Sequence, residues 1–342
     1  MATSPTTSVD PLLIETIESL LSDHCAPEQV GAAEGGLDAK LWSTLVESGL
    51  SSVGVAESAG GSGGTLHDAA AIAKAAGRHS APVPLTETSL IGGWICEQAG
   101  LQLPDGPLAV VIAGSQARSS WAPVAANLVV VTDGGVAVVA AGSLQQQASK
   151  NYAGEPVGAV TLPSGLSLSN GPSPSEARMR GALARSLLMA GALSTVVDLS
   201  VQYANEREQF GRPIGKFQIL QHYLAEMAGE AAAAEAAADT AVDVLAAGAT
   251  GDDAMRVVAV AKTMAGRGTG ILNRLAHQLH GAIGFTDEHR LQYSTRRLWS
   301  WRDEHGTEAE WAAALGQSLC RAGGAALWPT LTSWPPAAAA AS

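Results

Sequence analysis

The sequence predicts an α+β fold in three successive parts: an N-terminal all-helical domain over residues 1–103, a small, shortened β domain over 104–172, and a C-terminal four-helix bundle with a tail over 173–342. On both sides of the centre, apolar residues recur three and four apart, the spacing of a buried helix face. Between them, residues 107–168 carry short β-branched runs punctuated by Asp133-Gly134 and Pro163-Ser164-Gly165, a strand-and-turn pattern. At 342 residues the chain is long enough for two or three domains with cores of their own.

In order, Leu12, Leu13, Ile17, Leu20 and Leu21 fit one helix face, and Trp42, Leu45 and Leu50 continue the pattern, with Gly49 ending that helix. Residues 54–64 are too rich in glycine for a helix. They lack the lysine-serine ending and the strand-helix context of a phosphate loop, so they read as a connection between helices. Helical spacing resumes from His67 to Arg78, breaks at Pro82 and Pro84, and returns from Thr86 to Gln98. Strands are expected at 108–112, 128–132, 136–139 and 157–162. Residues 170–177 are the linker and the start of the next helix. Helices follow at about 176–206, 217–247, 251–279, 286–300 and 308–323, with dense alanine favouring close helix packing. Residues 328–342 are expected to be a loose tail from which Trp328 and Trp334 dock on a neighbouring surface.

Twenty basic against 32 acidic residues give a net charge of -12, which argues against gripping nucleic acid through a broad basic surface. Arg290, Arg296, Arg297 and Arg302 form a local basic cluster, open to either an anionic ligand or salt bridges. Three distant cysteines with no CxxC pair indicate neither a disulfide framework nor a zinc site, and no metal is expected. The N-terminus lacks the basic-then-apolar pattern of a signal peptide, and charges interrupt the alanine-rich runs, so a cytoplasmic protein without a membrane span is expected.

The most informative stretch is Tyr203–Met227, YANEREQFGRPIGKFQILQHYLAEM. A polar helix end carrying Arg207 meets a turn built on Gly211, Pro213 and Gly215, followed by a second helix face at Phe217, Leu220, Tyr223, Leu224 and Met227. An arginine on the rim of such a turn suits paired phosphate oxygens; the residues alone fit equally a helix corner with a solvent salt bridge.

Arg207-x-x-Phe210-Gly211-x-x-Ile214-x-x-Phe217-Gln218 resembles the corner between two long C-terminal helices of the acyl-CoA dehydrogenase family. Gln278-x-x-Gly281-x-x-Gly284-Phe285-x-x-Glu288 resembles a second family motif, at the family's distance. The resemblance implies FAD as cofactor and an acyl-CoA thioester desaturated between Cα and Cβ, with a glutamate as base. It also implies an electron-transfer flavoprotein or similar acceptor. It places Arg207 at the flavin pyrophosphate of a neighbouring subunit, Phe210 beside the adenine-ribose portion, and Gln278, Gly281 and Gly284 near the adenosine diphosphate. Thr307 falls close to the cofactor.

The catalytic positions depart from the family pattern. Where many members have Glu-Gly-Thr, this chain has His305-Gly306-Thr307, with Glu304 one place earlier and expected to point elsewhere. Other members carry the glutamate on the long helix, at a position near Gly181 and the equally inert Ala182 and Ala184. The family's Gly-Ser-Asp loop and Trp-Ile-Thr strand are also missing, and the segments 119–122 and 151–156 look like those of shortened members. Three expectations follow. The first is a non-catalytic subunit in an α2β2 heterotetramer with a homologous catalytic chain, acting on a steroid side-chain CoA. The second is a self-sufficient enzyme with His305 or Glu304 as base. The third is a flavin-free structural or regulatory homologue.

Overall fold

A computed structural model describes residues 9–113 and 118–332. The N-terminal domain opens with α1 (Pro11–His24), α2 (Pro27–Ala32) and α3 (Ala39–Glu47). Asp10 and Asp38 cap the first and third, each carboxylate accepting a backbone N–H at 2.9 Å, which satisfies donors the helix itself leaves open. Ile17 and Leu21 are buried as the periodicity requires, but Leu12 is 66% exposed, so the inward face of α1 is narrower than its leucines imply. Gly49 follows α3 with φ +73°, a conformation that costs glycine little. The glycine-rich loop is pinched shut by a Val55–Gly63 bridge and leads into α4 (Leu66–His79). After the prolines, the expected helix is a π-helical segment, Glu87–Gly93, running into α5 (Trp94–Gln98).

The β domain holds two small sheets. In one, β1 (Leu108–Ile112) pairs parallel with β3 (Asn127–Thr132), which pairs antiparallel with β4 (Gly135–Ala140). In the other, β6 (Pro156–Thr161) lies between β2 (Arg118–Ser120) and β5 (Gln145–Lys150), antiparallel to both. The four expected strands are β1, β3, β4 and β6. The sequence reading missed β2, which is three residues long, and β5, whose QQQASK has no apolar alternation. β5 is a largely exposed edge, where polar side chains oppose pairing with other chains.

The C-terminal part comprises α6 (Pro174–Glu206), α7 (Gln218–Ala246), α8 (Gly251–His280), α9 (Leu291–Asp303) and α10 (Glu308–Ala322). It ends in α11 (Gly324–Thr332), so the first residues of the expected loose tail, 328–332, are helical, and the rest lies outside the described residues. Trp328 is helical and 72% exposed, while Trp334 lies outside the described residues. α6 is the axis of the molecule and packs on α4, α7, α8 and α9. It is long and apolar enough to cross a membrane, but most of it is buried in the protein. Where α4 and α6 cross, a Cβ at Gly191 would lie 1.9 Å from the Lys74 carbonyl oxygen, and one at Gly77 would lie 2.0 Å from that of Leu188. Only glycines permit so close a backbone approach.

Candidate active-site cleft and cofactor arm

A cleft of about 630 Å³ opens between the π-helical segment, β1 and β2, the β5–β6 turn, the start of α6 and the α9–α10 turn. Glu304 and His305 both line it, so the expectation that neighbouring positions point apart is corrected: His305 adopts φ +54°, which turns the chain so that both side chains face the same space. The two candidate base positions, 124 residues apart in sequence, meet here. A Cβ at Gly181 would lie 2.4 Å from Cγ and Nδ1 of His305, so the ring occupies the space a side chain on α6 would need.

Behind the cleft is a network of buried charge. Arg185 is 1% exposed; its Nε donates to Glu304 Oε2 at 2.6 Å, its Nη2 is paired with Glu87, and its Nη1 donates to Thr86 Oγ1 at 3.2 Å. Asn151 Nδ2 bridges to Glu155 Oε2 at 2.8 Å and to Glu304 Oε1 at 3.4 Å. Glu155 also accepts from the Trp301 indole at 3.1 Å and lies 3.4 Å from the Arg297 guanidinium. Lys262, fully buried, donates to the carbonyls of Trp301 and Arg302 at 2.5 and 2.9 Å, which fastens the end of α9 just before Glu304.

The network sets the proton affinities. Burial alone would raise the Glu304 pKa, but the Arg185 charge and hydrogen bond hold it below the usual carboxylate value. Burial, reinforced by Arg185, pushes His305 down to about 3. Burial likewise lowers Lys262 to about 7, against the pull of Glu304.

The motif residues sit elsewhere. Arg207 ends α6 and Phe210 lies in the hairpin of β7 (Glu208–Gln209) and β8 (Arg212–Pro213), 90% exposed with φ +53° and edge-on to Phe217. The second motif is beside it: Ile214 and Leu279 share a small buried cluster, and Tyr203 stacks on His280 at 4.5 Å. Gln278 is exposed, Gly281 has φ +62° with open space around its missing Cβ, and Phe285 is 70% exposed. Gly284 instead faces inward, where a Cβ would meet His280 at 3.0 Å, so its glycine serves internal packing. Thr307 is not in this group. It caps α10, accepting from the Glu310 amide at 3.2 Å, close to the cleft.

Arg207, the C-cap of α6, is 26 positions beyond Gly181 along the helix, about 39 Å at 1.5 Å per residue. The arm and the cleft of one chain are thus at opposite ends of α6. The expected basic cluster is largely neutralised: Arg296 pairs with Glu34, Arg297 with Glu155 and Arg302 with Glu308. Arg185, Glu87, Glu155 and Lys262 were missed by sequence reasoning. Arg185 left one signal, as the sole charged residue between Arg180 and Asp198 in an otherwise small and apolar stretch. Among the described residues no cluster of metal-ligating side chains occurs.

Three parts meeting at one cleft, with an aromatic arm at the far end of the shared helix, are arranged as in the class of dehydrogenase that the motifs resemble. Residues 10–102 match the N-terminal domain of acyl-CoA dehydrogenases and residues 176–309 their C-terminal domain. The acyl-CoA dehydrogenase IpdE2 of Mycolicibacterium smegmatis is 31% identical over 299 residues, covering 84% of this chain and 91% of its own. IpdE2 of Mycobacterium tuberculosis is 31% identical over 84% of this chain and 89% of its own. The fold superposes on the ChsE4–ChsE5 complex from Mycobacterium tuberculosis with TM-score 0.81 at 22% identity, covering 93% of this chain and 98% of that one. It superposes on a variant of the Tcur3481–Tcur3483 steroid ACAD with TM-score 0.80 at 25% identity, covering 92% and 98%. The chain belongs to the acyl-CoA dehydrogenase family, whose members are FAD-binding flavoprotein oxidoreductases of lipid and steroid catabolism.

Proposed function

We propose that this chain is the subunit without a catalytic base in a cytoplasmic, heteromeric FAD-dependent acyl-CoA dehydrogenase, paired in an α2β2 assembly with a homologous chain that supplies the glutamate. The carrying observation is that both side chains at the base position have low proton affinity. Glu304 is held ionised by Arg185, and His305 titrates near 3. A general base works best with a pKa near the operating pH. Gly181, the alternative position, has no carboxylate and is covered by the His305 ring.

The arm fits the outer half of a dinucleotide. Arg207 and Gln278 offer charged and amide donors beside the exposed Phe210 ring, and Gly281 leaves open space for close approach. About 39 Å from its own cleft, this arm serves a flavin seated mainly in the partner. Bound there, FAD supplies the hydride acceptor. This chain's residues then hold the adenosine diphosphate portion and exclude water from it, while the partner removes the α proton. The steroid ACAD match favours a steroid-derived acyl-CoA as substrate, and the family resemblance an electron-transfer flavoprotein or similar acceptor.

The test is to purify the chain alone and co-expressed with its homologous partner, then measure flavin content and thioester desaturation. Flavin and activity only in the pair are expected. A yellow, active single chain whose turnover collapses in His305→Ala overturns the proposal and assigns the base to His305. A pair whose flavin content and activity are unchanged in Arg207 or Phe210 variants overturns the role given to the arm.

A further inference from the structure

On the side of α6 away from the cleft, a second pocket of about 290 Å³ lies between α5, the start of α6 and the α7–α8 turn. At 3.6 residues per turn, Arg178, Gly181 and Arg185 share one face of α6, and Glu176, Met179 and Arg180 the other. The pocket is therefore independent of the reaction site. Its walls are the apolar surfaces of Trp94, Met179 and Leu245, and Arg180 is its cation.

Arg180 is anchored but not neutralised. Its Nε donates to the Leu90 carbonyl at 2.8 Å and its guanidinium lies 5.3 Å from the Trp94 ring centroid, while no carboxylate pairs with it among the described residues. Glu176, one turn earlier on the helix, is the ordinary i,i+4 partner. Its carboxylate is diverted to the N-cap, where Oε2 accepts from the Ser173 amide at 2.8 Å and hydroxyl at 2.7 Å. Burial accordingly lowers the Arg180 pKa to about 10, with Glu97 opposing it. A fixed guanidinium with unused N–H groups, against an aromatic face and an apolar wall, matches a carboxylate carried on a hydrocarbon body.

We propose that this pocket is a binding site for an apolar monocarboxylate, with Arg180 gripping the carboxylate and Trp94, Met179 and Leu245 covering the hydrocarbon. A monoanion is favoured over a phosphate dianion because Glu176 and Glu97 place negative charge nearby. The site adds a ligand-binding function to the chain and rests on none of the residues assigned to flavin or to the reaction.

The test is calorimetric titration of the full-length chain, in its purified complex, with octanoate, octanamide and inorganic phosphate. Saturable octanoate binding is expected, weakened about tenfold or more both by loss of the ligand charge in octanamide and by Arg180→Gln. Phosphate should be the weaker anion. Thr250→Trp, at the exposed mouth, should block octanoate while leaving Arg180 in place, which keeps the test decisive should Arg180→Gln fold poorly. No saturable octanoate binding, or binding unaffected by Thr250→Trp, overturns the proposal. Octanamide binding as well as octanoate overturns the role of Arg180.

Discussion

Replacing Arg185 with methionine removes the one cation that both Glu87 and Glu304 use, and leaves two carboxylates facing an apolar side chain. Removing one partner of a buried ion pair costs about 3–5 kcal/mol, because the remaining charge keeps its desolvation penalty and loses its compensation. The upper part of that range applies here, since Glu87 is 5% and Glu304 19% exposed at the side chain and two carboxylates are orphaned. The pH dependence has a definite sign. In the natural protein the folded-state pKa of Glu304 is depressed, so its contribution is present above the unfolded carboxylate pKa and lost as pH falls through the folded value. In Arg185→Met, burial acts without the cation and the folded-state pKa rises above the unfolded one. The variant's penalty is then fully present at neutral pH and shrinks as pH falls toward about 4. Urea denaturation of both proteins at neutral pH and near pH 5 measures the gap. A difference below about 1 kcal/mol, unchanged between the two pH values, would refute the account of Arg185 as the charge that organises the cleft.

Lys262 titrates in the folded protein near 7 and in the unfolded chain near its ordinary, higher value, so the unfolded state binds more protons between the two. Stability should rise with pH across that window, and Lys262→Met should flatten the rise in a series of denaturation curves. Gly191→Ala pushes a methyl to 1.9 Å from the Lys74 carbonyl oxygen and should cost about 1–3 kcal/mol or more in denaturant midpoint. Gly229→Ala, in the exposed middle of α7 with nothing within 4 Å, should instead stabilise by about 0.5–1 kcal/mol. Phe210→Ala touches a ring that is 90% exposed, so the thermal midpoint of the isolated chain should not move while flavin retention by the co-purified complex falls on gel filtration.

Several helices were legible because they carry their own start signal and a repeating buried face. Thr65 with Asp68, Ser173 with Glu176 and Thr307 with Glu310 form reciprocal caps that can be read from four residues. β5 was not legible because an edge strand exposed on both faces needs no apolar alternation. Its pairing comes from β6, a neighbour that local pattern does not show. The arm was legible as motif residues, since Arg207, Phe210, Gln278 and Gly281 remain on the surface and take their meaning from spacing. At Gly284 and Thr307, which the resemblance also sets near a cofactor, the structure shows internal packing and helix capping.

The sequence by itself determined the order of helices and principal strands and the motif-bearing corner, because these follow from neighbours within a few turns of chain; it also put His305 and Gly181 where the family resemblance expects a glutamate. Only the tertiary structure decided that Gly181 and His305 occupy one place, and that Arg185 draws Glu87 and Glu304 together from opposite ends of the sequence. It also separated the arm from the cleft by the length of α6. The physical reason is that burial and charge act through space: a side chain's proton affinity depends on what folding brings within a few ångströms, and chain order does not record it.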